Sequence, residues 1–323
     1  MAEAATEPSL AAGNPAGASP AEHSASPAIH VSQLTKRYGK TVAVTDLSMS
    51  VPRGEVFGFL GPNGAGKTTV VKLLLGLAKP TSGEGLLLGS PLGSLDARRS
   101  VGYLPELFRY QGWLSAREVV VLHCRLAQLE RSSWPGAISG ALTTVGLAER
   151  ADDRVAGFSK GMQQRLGLGV ALLGDPQLVL LDEPTSALDP VGRHDVREIV
   201  RGLREKGVAV FLNSHLLSEV EQVCDRVAVV DHGRVIAAGR LEELLARPQV
   251  RVRCTGLGSE AHQQLSAFGV ITEDEGWLTV SGIDPSRVPD LVSAIVGAGG
   301  RVYAVDPGQQ TLEERFLQLI EAA

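Results

Sequence analysis

The sequence predicts an α/β fold built around buried strands that end in polar groups, followed by a small C-terminal α+β domain. Three observations carry this expectation. "GEVFGFL" (54–60) is a short apolar run leading straight into the glycine-rich "GPNGAGKTTVVKLLLGL" (61–77), which reads as strand, loop and helix in succession. "LVLLDEP" (178–184) and "VAVFLNS" (208–214) are two more buried-strand patterns, each stopping at polar side chains as ligand-binding strands of open α/β sheets do. After Pro248 the pattern changes to short strands ("VRVRC", "GWLTVSG", "RVYAVDPG") and amphipathic helices ("PSRVPDLVSAIVGAGG", "TLEERFLQLIEAA").

Composition bounds the rest. A chain of 323 residues, 44% hydrophobic and 21% charged, is long enough to bury a sizeable core and to divide into two domains. Its net charge of −5 supplies no global basic field for nucleic acid or anionic lipid. Cys124, Cys224 and Cys254 lie far apart without metal or redox spacing, which fits reduced thiols in cytoplasm. Residues 1–28 hold no Lys or Arg and no apolar run; they lack both parts of a signal peptide and read as a disordered tail. Apolar stretches such as "VVKLLLGLA" are far shorter than the ~20 residues of a membrane span.

Along the chain, "AIHVSQLTKRY" (28–38) and "TVAVTDLSMSV" (41–51) alternate like strands before the glycine loop. In that loop Gly61, Gly64 and Gly66 free the backbone to fold its N–H groups around phosphate oxygens, a geometry that Cβ atoms obstruct. Lys67 then supplies a cation to the outer phosphates, and the Thr68 hydroxyl is placed to ligand Mg²⁺.

At the end of the "LVLLD" strand, Asp182 is suited to hold Mg²⁺ through water, and Glu183 to orient and deprotonate an attacking water. Alone, the pair reads as solvated residues of a turn opened by Pro184; beside a phosphate loop that needs a carboxylate, it reads as functional. His215 ends the third strand, either as a satisfied structural histidine or as a γ-phosphate contact. "FSKGMQQR" (158–165) begins a helix at Ser159, which either caps its own first turn or helps that helix end hold an anion.

In this order and spacing, from about Ile29 to about Leu245, these motifs resemble the nucleotide-binding subunit of an ATP-binding cassette (ABC) transporter, of the branch serving drug and other bacterial exporters. The resemblance implies a P-loop NTPase core of the ABC-ATPase kind over 29–247, with an antiparallel β subdomain and a helical subdomain at about 92–157. The C-terminal α+β domain, 248–323, then resembles the extensions of some exporter ATPases, with an assembly or regulatory role set against a passive one. ATP and Mg²⁺ are the implied cofactors. Walker A is "GPNGAGKTT", so Gly61, Pro62, Asn63, Gly64, Ala65, Gly66, Lys67, Thr68 and Thr69 are carried over as nucleotide-binding.

Ser159 and Gly161 match the signature that caps the γ-phosphate held by the opposite subunit, so that a head-to-tail homodimer holds two ATP sites. Tyr38 matches the aromatic that stacks on adenine. Asp189 matches the loop linking the two sites, although it is also placed to cap the helix opened by Pro190. Glu106 stands where most members have glutamine; a carboxylate there can still ligand Mg²⁺ while adding negative charge beside the γ-phosphate. Lys160 and Met162 depart from the usual Leu-Ser-Gly-Gly-Gln.

Phe108, Tyr110 and Trp113 cluster in a chain only 4% aromatic, as a small core or as a groove for a helix of a membrane partner. The partners implied are a multi-span permease on a separate chain and a second copy bound through ATP, with no nucleic acid, at the cytoplasmic face of the membrane. Two other functions compete: a soluble ABC ATPase acting on ribosomes or DNA, and an ATP-gated regulator that does not hydrolyse. One Walker A, the charge balance and the absence of a heptad insertion oppose the first; Glu183 and His215 oppose the second.

Overall fold

Three sheets organise the chain, which a computed structural model describes over residues 26–186, 188–245, 249–274, 276–306 and 311–322. Of the expected tail at 1–28, residues 1–25 lie outside the described residues. Ala28 is buried and donates its N–H to the Val51 carbonyl at 2.8 Å.

β1 (Ile29–Tyr38) and β2 (Thr41–Val51) pair antiparallel across a two-residue connection, Gly39 and Lys40. β3 (Val56–Leu60), buried at every residue, leads through the glycine loop into α1 (Lys67–Leu74). β4 (Ser82–Leu87) and β5 (Ser90–Pro91) complete an antiparallel sheet in the order β2-β1-β4-β5. It reaches the loop after β3 through Gly233: the Thr45 N–H donates to the Gly233 carbonyl, and the Gly233 N–H donates to the Ala65 carbonyl of that loop.

α2 (Leu95–Arg99) precedes β6 (Val101–Leu104), and a helical layer of α3 (Ala116–Leu126), α4 (Trp134–Thr144) and α5 (Lys160–Ala171) follows. α3 opens on a capping box: the Ser115 hydroxyl accepts from the Glu118 N–H while Glu118 accepts from the Ser115 N–H. The chain then alternates β7 (Leu178–Asp182), α6 (Pro190–Glu205), β8 (Ala209–Asn213), α7 (Leu217–Val223), β9 (Arg226–Asp231), β10 (Arg234–Arg240) and α8 (Leu241–Leu245).

The second sheet runs β10-β9-β3-β8-β7-β6 and is parallel except for the β9–β10 pair. Its central strands are apolar at nearly every position because both faces are covered. One face packs on the antiparallel sheet and α1 through Phe57, Phe59 and Phe211; the other packs on the helices through Leu60, Val210 and Leu212.

Beyond lie β11 (Gln249–Thr255), α9 (Ser259–Leu265), β12 (Val270–Asp274), β13 (Trp277–Ser281), α10 (Val288–Gly297) and β14 (Arg301–Asp306). They form a β-α-β-β-α-β unit with sheet order β12-β13-β11-β14 and a core of its own, including Val250, Val252, Leu278, Val280, Leu291 and Ile295. The last helix, α11 (Leu312–Glu321), does not share that core: Leu312 packs into the larger one.

Candidate active site

The six-stranded sheet is parallel where it matters, so β3, β7 and β8 all point their C-terminal ends at one edge. The register sets Asp182 directly opposite Asn213 and Phe59 opposite Asn213 on the other side. The loop after β3, the carboxylates after β7 and the histidine after β8 therefore converge.

The glycine loop is fixed by close approach. A Cβ on Gly61 would lie 2.2 Å from the Val230 carbonyl oxygen, and one on Gly66 would lie 2.3 Å from that of Ala43. Gly66 also holds φ +98° as the residue before α1, a left-handed conformation that side chains disfavour. Between them Pro62, Asn63 and Gly64 reach outward, Ala65 is buried, and Thr68 and Thr69 stand on the first turn of α1.

Lys67 is only 8% exposed, and its ammonium donates to the carbonyls of Gly61 at 2.7 Å and Pro62 at 3.1 Å. Burial holds it below the ordinary lysine pKa, against the opposing pull of Glu183, Asp182 and Glu106. Asp182 is 2% exposed and accepts from the Asn213 amide at 2.5 Å. Burial pushes its carboxyl above the usual range; Glu106 and Glu183 add to the shift, while the Asn213 bond and Lys67 oppose it.

Glu183 follows with φ +53°, unusual for a residue with a side chain. Its N–H donates to the Asn213 carbonyl at 2.9 Å, and its carbonyl accepts from Ser186 Oγ at 3.1 Å and Gln164 Nε2 at 3.4 Å. This twist turns the carboxylate to His215, whose Nδ1 lies 2.7 Å from Glu183 Oε2. The histidine side chain is 53% exposed, so it is not a core residue. Glu106, exposed after β6, lies close enough for its charge to act on Lys67, Asp182 and Tyr103.

The remaining residues have contacts of their own. Ser159 caps α5, its hydroxyl accepting from the Met162 N–H at 3.2 Å, with Lys160 exposed and Gly161 half-buried beside it. Asp189 caps α6, accepting from the Gly192 N–H at 2.8 Å. Tyr38 ends β1, half-exposed, with Lys36 Nζ 4.8 Å from its ring centroid. It borders the hairpin whose Ala43 carbonyl touches the glycine loop.

The aromatic cluster divides. Phe108 and Tyr110 pack together, ring centroids 5.2 Å apart, against the larger core, and burial raises the Tyr110 phenol above its ordinary pKa. Trp113 is 72% exposed and Leu107 86% exposed, so the small-core expectation fails for Trp113: its neighbour Leu114 takes the place against the larger core.

Two groups at the site carry no role in the sequence reading. Asn213 both orients Asp182 and anchors the Glu183 backbone. Tyr103, on β6, has its phenol pushed up to about 12, first by burial and then by Asp182 and Glu106. Strand register is the signal for both, and it is a property of the sheet, not of either segment alone.

Several features fit Mg·ATP. The cradle admits backbone where a Cβ would collide, three carboxylates face one buried ammonium, and Asn213 Oδ1 is buried without a hydrogen-bond partner. Among the described residues no group of three His, Cys, Asp or Glu side chains is placed to hold a metal ion by itself. None of the described helices is long and apolar enough to cross a membrane.

Residues 44–186 match the family model described as ABC transporter. An uncharacterised ABC transporter ATP-binding protein of Nostoc sp. is 39% identical over 285 residues, 87% of this chain and 84% of that protein. Nod factor export ATP-binding protein I of Burkholderia orbicola is 36% identical, over 88% of this chain and 94% of its own. A solved structure described as the ATP-binding subunit of an ABC transporter superposes with a TM-score of 0.62 at 31% identity, covering 67% of this chain and 91% of that one.

Proposed function

The chain belongs to the ABC transporter ATP-binding proteins, and from that membership we propose that it hydrolyses Mg·ATP at the sheet edge and drives a separate multi-span permease through closure of a head-to-tail homodimer. The observation that carries this reading is the convergence of a buried Lys67, Asp182 and a Glu183–His215 pair on one glycine cradle. Export is the direction favoured, because a relative covering most of the chain is an export ATP-binding protein. The cytoplasmic membrane face is where such a subunit works.

In this mechanism the loop N–H groups and Lys67 bind and orient the β- and γ-phosphates. Thr68, Asp182 and Glu106 would hold Mg²⁺, which neutralises charge building on the phosphate oxygens when bound. Glu183 takes the proton of the attacking water while His215 fixes its carboxylate and contacts the γ-phosphate. Tyr38 stacks on adenine. Ser159 and Gly161 of the partner subunit complete the site from the other side, where the helix end supplies N–H donors, and Asp189 links the two sites. The accessory unit after residue 247 acts in assembly or regulation.

Exposed Trp113 and Leu107, next to Glu106, form the surface we assign to the permease. The test is capture of tagged protein from detergent-solubilised membranes of the native cell. A stoichiometric multi-span partner is expected; ribosomes, DNA or no partner alongside intact ATPase activity would overturn the transporter reading. Trp113→Ala is expected to weaken that capture at least tenfold while leaving the thermal midpoint within about 1 °C, since an exposed side chain adds little to folding stability.

A further inference from the structure

We infer that the last helix, α11, is a positioning element of the hydrolytic site, acting through α7 on His215. The inference rests on the reading of Glu183 and His215 as the hydrolytic pair.

α11 follows the small C-terminal sheet in the chain but packs on the catalytic body. Leu312 is 1% exposed within the core that contains Val220, Val223 and Cys224, and Phe316 packs against the same core. The Leu312 N–H donates to Glu221 Oε2 on α7 at 3.1 Å, across 91 residues of sequence. A capping box between Thr311 and Glu314 fixes where α11 begins and so where Leu312 enters. The helix lies along α7, α8 and β10.

α7 is the element that needs such a brace. With 7 residues it is too short to hold its own conformation, so packing must hold it. It starts two residues after His215, and the Ser214 hydroxyl accepts the Leu216 N–H at its entry. Arg197 of α6 ties it on another side through Glu219 at 2.7 Å. Beneath it, Val220 lies so close to β3 that a Cβ on Gly58 would come within 2.8 Å of it. β3 and α6 thus fix two sides of α7, and α11 supplies a third.

His215 is half-exposed, so burial does not aim it; the backbone entering α7 does. Loosening α7 therefore lowers the fraction of molecules in which Nδ1 stands within hydrogen-bond reach of Glu183. The glycine cradle, which binds phosphates, is untouched.

The test uses the full chain carrying Leu312→Ala or Glu221→Ala, each with His215 present and with His215→Ala, read by phosphate release under single- and multiple-turnover conditions. With His215 present, kcat is expected to fall on the order of tenfold with KM for ATP changed less than about twofold, a size typical of coupling between packed neighbours. With His215→Ala, the same substitutions are expected to cause no further loss. An unchanged kcat, or an equal loss in both backgrounds, would overturn the inference, since a merely structural role acts regardless of His215. Glu221→Ala opens little cavity and carries the test if Leu312→Ala fails to fold. If His215→Ala alone leaves kcat unchanged, the pair itself is wrong and the inference falls with it; if it abolishes turnover while the α11 variants are silent, only the inference falls.

Discussion

Glu183→Gln is expected to lower ATP turnover by about 10²–10⁴-fold, the range a positioned general base contributes, while ATP binding stays within a few-fold of the unsubstituted protein. The geometry makes the substitution specific. The Glu183 backbone is locked at φ +53° by its N–H bond to the Asn213 carbonyl, and neither constraint involves the side chain. A glutamine of the same shape therefore enters the same position, keeps an oxygen near His215 and loses only the ability to take a proton. Phosphate cradle and Lys67 remain, so nucleotide binds and is not consumed. Phosphate release with the two proteins at saturating Mg·ATP checks this; turnover within a few-fold of normal would remove Glu183 from the role.

Lys67→Ala should weaken ATP binding about 10- to 100-fold, matching roughly 1.5–3 kcal/mol for a hydrogen bond to a charged group, and cut turnover by about 10²–10³. Its signature lies in the contrast between folding and binding. A buried ammonium pays a desolvation cost, and in the nucleotide-free protein relief of that cost offsets the loss of its bonds to the Gly61 and Pro62 carbonyls. Ligand-linked stability behaves oppositely: Mg·ATP raises the melting point in proportion to the logarithm of concentration over Kd. Melting curves are expected to show the midpoint without nucleotide nearly unchanged and the rise with Mg·ATP largely abolished. An undiminished rise would mean that Lys67 does not hold the phosphates.

Much of this site is legible in the sequence because its parts are local. The glycines at 61, 64 and 66, with Lys67, specify a loop on their own, and apolar runs ending at Asp182 and Asn213 read as buried strands. Ser159 and Asp189 each cap a helix, as their positions before Lys160 and Pro190 suggest. What the sequence does not disclose is register. Asn213 touches Asp182 because β7 and β8 pair there, and Tyr103 joins the carboxylates because β6 lies beside β7.

In the C-terminal unit, β11, β13, β14 and α10 are read correctly, whereas α9 and β12 are missed. β12, Val270–Asp274, ends in consecutive carboxylates at a sheet edge with most of its residues exposed, so it shows no apolar alternation. α11 is recognised as a helix but not located. Its apolar face fits either core, and only the fold brings Leu312 to Glu221.

In the proposed cycle one chain carries two half-sites and ATP joins two copies. Ser159 and Gly161 stand at an exposed helix N-terminus, and in the proposed dimer they complete the site of the partner subunit. The most direct test is the solution mass of the Glu183→Gln protein by light scattering, with and without Mg·ATP. A dimer with Mg·ATP, a monomer without it, and a monomer with Mg·ATP when Gly161→Asp is added are the expected results. A protein that binds ATP stoichiometrically and stays monomeric would rule out the ATP-joined dimer.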